Sequence, residues 1–141
     1  MLSADGSHCI FCSIVEGRTR RCTVYEDEAA IAFLDAGQAT PGHTLVVPRR
    51  HAADIWELSE DEAARTMRTV RRVAELLRDR LRPAGTNITQ SNGAAAWQEV
   101  FHYHVHLVPR YGDDDLVPPW RSTSPTEAVL METLERIVRA T

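Results

Sequence analysis

Hydrophobic positions in the first third of the chain come in short runs with β character. Cys22 to Glu26 and Ala29 to Leu34 are two such runs, joined by an acidic turn, and together they predict a hairpin. Thr44-Leu45-Val46-Val47 predicts a third strand, entered through the turn pair Pro41-Gly42. At Ser59 the period changes. Glu62 completes a capping box with it, and Ala63, Met67, Val70, Ala74, Leu77 and Leu81 recur at spacings of four and three. That is one apolar stripe on a long helix, which Pro83 and Gly85 stop. Thr86 to Ser91 predicts a fourth strand, and Asn92-Gly93-Ala94-Ala95-Ala96 a loop of small residues. Glu99 to Val108, ended by Pro109, predicts a fifth strand. Asp113 to Arg121 is irregular. A last helix is predicted from Ser124, with Pro125 in its first turn and Glu127 closing a second capping box. Short strands around one long helix predict an α+β domain on a mostly antiparallel sheet.

The fifth strand carries the candidate chemistry. Phe101-His102-Tyr103-His104-Val105-His106-Leu107 alternates imidazole with apolar side chains. Residues i, i+2 and i+4 of a strand share a face. The pattern therefore lines His102, His104 and His106 along one edge of a site and turns Phe101, Tyr103, Val105 and Leu107 into a core. Imidazole exchanges protons, attacks phosphorus or binds metal near neutral pH. On the pattern alone, a metal site made by neighbouring imidazoles and a set of unrelated histidines satisfied by hydrogen bonds both stay open. Strict alternation against an apolar opposite face argues against the second.

Composition narrows the classes. At 141 residues, 43% apolar and 26% charged, the chain suits one globular domain. A net charge of −4 argues against a broad nucleic-acid surface but permits a small anion in a local pocket. No apolar run approaches the roughly 20 residues that cross a bilayer. Met1 to His8 is a short polar leader without a signal segment, so a cytoplasmic home is the expectation. Cys9, Cys12 and Cys22 make no even disulfide set. Cys9-x-x-Cys12 has the spacing of two ligands to one tetrahedral zinc, or of two thiols packed in a short apolar helix with Ile10, Phe11 and Ile14. A redox pair is disfavoured because no βαβ pattern surrounds it. Cys22 is expected in the core, and Trp56 and Trp120 in packing or at a dimer edge.

His102 to Arg110 reads HYHVHLVPR, with Gln98 four residues upstream. The run resembles the signature of the histidine triad (HIT) superfamily. Cys9-Ile10-Phe11-Cys12, Phe33-Leu34-Asp35, Pro41-Gly42-His43-Thr44-Leu45-Val46-Val47-Pro48, His51 and Asn92-Gly93 follow in family order and spacing. The whole is most similar to the compact Hint-like bacterial branch. The resemblance implies one HIT domain over residues 9–141, with a core at 9–110 and a C-terminal extension at 111–141.

It also implies nucleotidyl chemistry. His104 would attack the α-phosphorus of a nucleoside 5′-phosphate derivative, and water would hydrolyse the nucleotidyl-histidine. A backbone carbonyl beside the first histidine would hold the other nitrogen of His104. His106 would contact phosphate or protonate the leaving group, and Gln98 would donate to a phosphate oxygen. Phe11, Ile14 and Phe33 would wall a base, a purine by the same resemblance. Asp35 would accept from the ribose hydroxyls, and Ser91 and Asn92 would border the nucleotide. Cys9, Cys12, His51 and His102 would hold a structural zinc. His43 is a supporting residue or a surface histidine. A homodimer is implied as well.

Three positions depart from the family pattern: Trp97 where glycine is common, Glu99 where a phosphate-touching hydroxyl stands in animal relatives, and Ser91 in place of asparagine. They bear on leaving-group preference. Two alternatives remain: cleavage of dinucleoside polyphosphates, and a nucleotide-binding interaction module with vestigial catalysis.

Overall fold

Alternation along the strands separates two buried faces of a single sheet. The computed structural model describes residues 8–139, so the predicted leader lies outside it except for His8. Five strands, β1 (Thr23–Glu26), β2 (Ala30–Leu34), β3 (Thr44–Pro48), β4 (Gly85–Gln90) and β5 (Val105–Arg110), pair antiparallel in the order β1-β2-β3-β5-β4. The helices are α1 (Ile10–Val15), α2 (Glu60–Leu81) and α3 (Glu127–Val138). The expected α+β class and antiparallel sheet are what the chain forms.

On one face, Ala30, Ala32, Val46, Tyr103, Val105 and Leu107 pack against Val70, Val73 and Leu77 of α2. On the other, Ile31, Phe33, Leu45 and Val47 pack against Cys9, Phe11, Cys12 and Ile14, at and within α1. Truncating a fully buried side chain such as Leu107 to alanine costs about 2–5 kcal/mol. The Ser59–Glu62 capping box forms as expected, and Arg82 closes α2 in the left-handed region at φ 52°. The buried stripe is not the one anticipated. Thr66, Thr69 and Val73 join Val70 and Leu77, while Met67 and Leu81 stay exposed. Threonine is tolerated there in part because Thr69 Oγ1 donates to Asp27 Oδ2 at 2.7 Å.

Four further expectations are corrected. β5 begins at Val105 rather than Glu99 and runs through Pro109. Upstream of it, the Tyr103 N–H donates to the Ala52 carbonyl at 2.6 Å instead of joining a ladder. Phe101, off the regular strand, is 38% exposed and outside the core. Pro109 is accommodated because it lies past the last β3 partner, Leu107. The last helix is capped by Thr126, not Ser124, which sits at φ 51° before Pro125. Cys22 is exposed rather than core. Of the two places expected for Trp56 and Trp120, their exposure excludes packing within the chain and is compatible with a dimer edge.

Candidate functional site

The face of β5 that carries the histidines is the one α1 covers. His102 and His104 are buried, and His104 meets both Phe11 and His106 edge-on, with ring centroids 5.1 and 5.0 Å apart. Alternation thus persists through residues 102–104 although they lie outside the ladder.

Hydrogen bonds assign each ring a tautomer. His104 Nδ1 lies 2.7 Å from the His102 carbonyl, which can only accept, so Nδ1 carries the proton and Nε2 keeps its lone pair. His102 Nε2 lies 2.9 Å from the Pro48 carbonyl, so its lone pair is on Nδ1. The Ala39 N–H donates to His43 Nδ1 at 3.1 Å, which leaves the His43 proton on Nε2. That Nε2–H faces His106 Nδ1 at 2.9 Å, so His106 accepts there and carries its own proton on Nε2. Burial is the main cause that lowers the pKa of all four rings below the ordinary imidazole value, and His102 and His106 are pushed down to about 4. The nucleophile candidate is therefore neutral at pH 7.

His43 is the residue that reading the chain undervalued. Its position comes from the Pro41-Gly42 turn. Gly42 has φ +94°, and a Cβ there would run into Leu81 and Pro109. The His43 carbonyl accepts from the Asp35 N–H at 2.9 Å and from Gln38 Nε2 at 2.7 Å. Asp35 Oδ2 lies 3.7 Å from His43 Nε2, and Asp35 Oδ1 accepts from the Gly37 N–H at 2.6 Å. Asp35 is thus at the strand end, as expected, and beside the histidines. Phe11, Ile14 and Phe33 are at most 7% exposed and pack in the core beneath α1.

Gln98 is engaged with the loop around it. Its Oε1 accepts from the Gly93 N–H at 2.7 Å, and its Nε2 donates to the Ala53 and Val100 carbonyls at 2.6 and 3.1 Å. Both amide hydrogens are used, so the buried side chain clamps the loop. Asn92 is also structural: its Oδ1 accepts from the Ile55 N–H and Gln90 Nε2, both at 2.8 Å. Ser91 sits half-buried where β4 ends, and Glu99 is exposed to solvent.

A second cluster adjoins the first. Cys9 Sγ and Cys12 Sγ each lie 3.5 Å from His102 Nδ1, and Cys12 Sγ lies 3.3 Å from His51 Nδ1. All four ligand atoms fall within 4.8 Å of one another. Tetrahedral zinc with bonds of about 2.0–2.3 Å sets its ligand atoms roughly 3.5 Å apart. The Cys12 thiol is pushed up to about 11 by burial and then by Cys9. Burial opposes the Cys12 thiolate unless a counter-charge is near, which a divalent ion supplies. The His102 proton on Nε2, held by a carbonyl, leaves Nδ1 free to ligate. The residues fit zinc. Asp35, His43 and His106 form another close group, but there the nitrogens that face each other are already hydrogen-bonded.

Among the described residues, no helix is long and apolar enough to cross a membrane. The family model described as "HIT domain" matches residues 17–113. The protein Hit of Bacillus subtilis is 44% identical over 108 residues, covering 77% of this chain and 74% of that protein. The crystal structure of a HIT family member from the same organism aligns with a TM-score of 0.89 at 37% identity, covering 96% of this chain and 99% of the other. A zinc-bound histidine triad protein from Mycobacterium smegmatis aligns with a TM-score of 0.73 at 34% identity, covering 92% and 96%.

Proposed function

The chain belongs to the HIT family, and from that premise we propose that it hydrolyses nucleoside 5′-phosphate derivatives, phosphoramidates or related esters, at the α-phosphorus. The observation that carries the reading is the orientation of His104. Its Nδ1–H is tied to the His102 carbonyl, so a neutral Nε2 lone pair is left on the face it shares with His106. A nucleophile held in one tautomer and one rotamer loses little freedom on the way to the transition state. The His104–phosphorus bond forms as the phosphorus–nitrogen or phosphorus–oxygen bond breaks. The departing atom takes the electron pair, accepts a hydrogen bond from His106 Nε2–H and leaves with a proton drawn from water. A water molecule then attacks phosphorus and frees His104 with the nucleoside monophosphate.

Asp35 would receive the ribose hydroxyls on the oxygen not used by Gly37, and a purine would lie against the Phe11 edge. Glu99 is exposed to solvent, so its carboxylate is free to turn away from a bound phosphate. Gln98 acts through the loop it clamps rather than on phosphate. Cys9, Cys12, His51 and His102 would hold zinc as a closed set with no open position, a structural role that ties α1 to the histidine strand. The unpaired outer edge of β4 and the exposed apolar residues of α3, Leu130 and Leu134 among them, support a homodimer.

The test is His104→Ala. It should abolish turnover of a nucleoside phosphoramidate and the nucleotidyl-enzyme adduct seen by mass spectrometry, while folding and zinc content persist. Turnover left intact would sink the mechanism. Measured beside it, a dinucleoside polyphosphate should be the slower substrate.

A further inference from the structure

The outer side of α2 is rich in arginine although the chain carries a net charge of −4. Arg65, Arg68 and Arg72 follow at spacings of three and four, so they share one helix face. They line a hollow of about 220 Å³ against Asp27, Glu28 and Ala29, the turn between β1 and β2. A second hollow of about 200 Å³ shares Glu28, Ala29 and Arg65 with the first and continues to Arg49, Arg50 and Thr66. α2 packs on the face of the sheet opposite to the one that α1 covers. The hollows are therefore separate from the histidines. β4, the edge proposed for the dimer, is at the other end of the strand order.

Five arginines meet three carboxylates across the two hollows. Two of the acids are already engaged. Asp27 accepts from the Ala29 and Ala30 N–H groups and from Thr69 Oγ1. Glu62 is held by Arg50 and the Ser59 N–H. Arg50 is engaged as well, with Glu62 and the His51 and Glu57 carbonyls. Other donors are not. Among the described residues, Arg68 makes no ion pair and no side-chain hydrogen bond, and Arg65 commits only Nη2, to Asp61.

Thr66 points to a ligand independently. It is 2% exposed, and its Oγ1 is a buried hydroxyl with no hydrogen-bond partner among the described residues. Such a group costs stability unless something outside the fold completes it. Guanidinium N–H groups and a hydroxyl can all donate, and phosphoryl oxygens accept. Two hollows joined at Arg65 suit two phosphoryl groups that share a bridging oxygen better than one ion.

We infer that the paired hollows between α2 and the β1–β2 turn form a binding site for two linked phosphoryl groups, with Arg68 and Arg72 at one and Arg65 and Thr66 at the other. The site goes beyond the reading of His104 and does not depend on it.

Inorganic pyrophosphate, titrated calorimetrically into the full chain with a nucleoside 5′-monophosphate at saturation, tests the site. One pyrophosphate should bind per chain, at least ~10-fold tighter than orthophosphate. Arg68→Ala should weaken it by about 10-fold, the scale of one lost hydrogen bond to a charged group. Glu28→Gln should tighten it, because Glu28 is the one carboxylate at the hollows without an ion pair or hydrogen bond among the described residues. Thr66→Val should weaken it while leaving the ligand-free chain no less stable to urea. His104→Ala should bind pyrophosphate as the unaltered chain does, so failure of the His104 mechanism and failure of this site are separate results. A nucleoside diphosphate that binds no tighter than pyrophosphate upholds the site as one for free diphosphate. One that binds tighter upholds it as one for a nucleotide tail. Equal affinity for pyrophosphate and orthophosphate, or an affinity that Arg68→Ala and Thr66→Val leave unmoved, overturns the site. So does binding of an acidic peptide in place of pyrophosphate, or a ligand-free Thr66→Val that is destabilised, since its hydroxyl would then have a partner within the fold.

Discussion

His43 Nε2 lies 2.9 Å from His106 Nδ1, and the hydrogen bond runs in one direction only, from His43 to His106. The Ala39 N–H occupies the other nitrogen of His43 and forbids the reverse. A main-chain donor at residue 39 thereby decides that His106 carries its proton on Nε2.

Removing His43 should free His106 to adopt the other tautomer. His43→Ala is expected to lower kcat by roughly 10- to 100-fold, within the range that acid–base groups contribute, with KM little changed. His43→Gln, whose amide can still donate to His106, should recover part of the loss. Steady-state kinetics on the three proteins check it. A KM effect with kcat intact would place His43 in substrate binding instead.

Gln98 is worth more to stability than to phosphate contact. Gln98→Ala would leave the Gly93 N–H and the Ala53 carbonyl without their partner. A loss of about 2–4 kcal/mol is expected from those unmade bonds. Gln98→Glu should be nearly as harmful, because a carboxylate cannot donate to the Ala53 and Val100 carbonyls. Urea unfolding of both variants measures this.

Zinc should be bound at one ion per chain and should stabilise the fold. Cys12→Ser is expected to bring metal content well below one and to lower Tm by roughly 10 °C or more. A chelator should lower Tm of the unaltered protein and leave the variant nearly unmoved. Metal analysis with thermal unfolding in both conditions checks the pair of outcomes.

The histidine face could be read along the chain because its signal is local: a period of two needs only neighbouring residues. The Cys9-x-x-Cys12 spacing was local in the same way, since Cys9 caps α1 and its sulfur accepts from the Cys12 N–H at 3.4 Å. The role of His43 was not legible, because it depends on β3 lying beside β5 across a gap of 63 positions. The Pro41-Gly42-His43 turn was the one available signal. The loop clamp made by Gln98 was not legible for a related reason: one amide hydrogen goes to a carbonyl 45 residues away. The α2 stripe failed where a polar partner, Asp27, made room for a threonine.

Acid should weaken this fold before it protonates the site. Burial holds His102 and His106 down to about 4, against an ordinary 6.5. As pH falls below 6.5 the unfolded chain takes up protons on these residues while the native chain does not. The unfolded state then binds more protons, so stability rises with pH across this window and falls on acidification from about 6.5 toward 4. Zinc on His102 acts in the same direction, because a ligating nitrogen cannot also be protonated. His106→Asn removes one of these titrating groups. Its stability should therefore decline less steeply than that of the unaltered chain between about pH 6.5 and pH 5. Urea midpoints at several pH values in that window measure the two slopes. Equal slopes would mean that the His106 pKa in the native state is not depressed, and that the neutral ring owes its state to something other than burial.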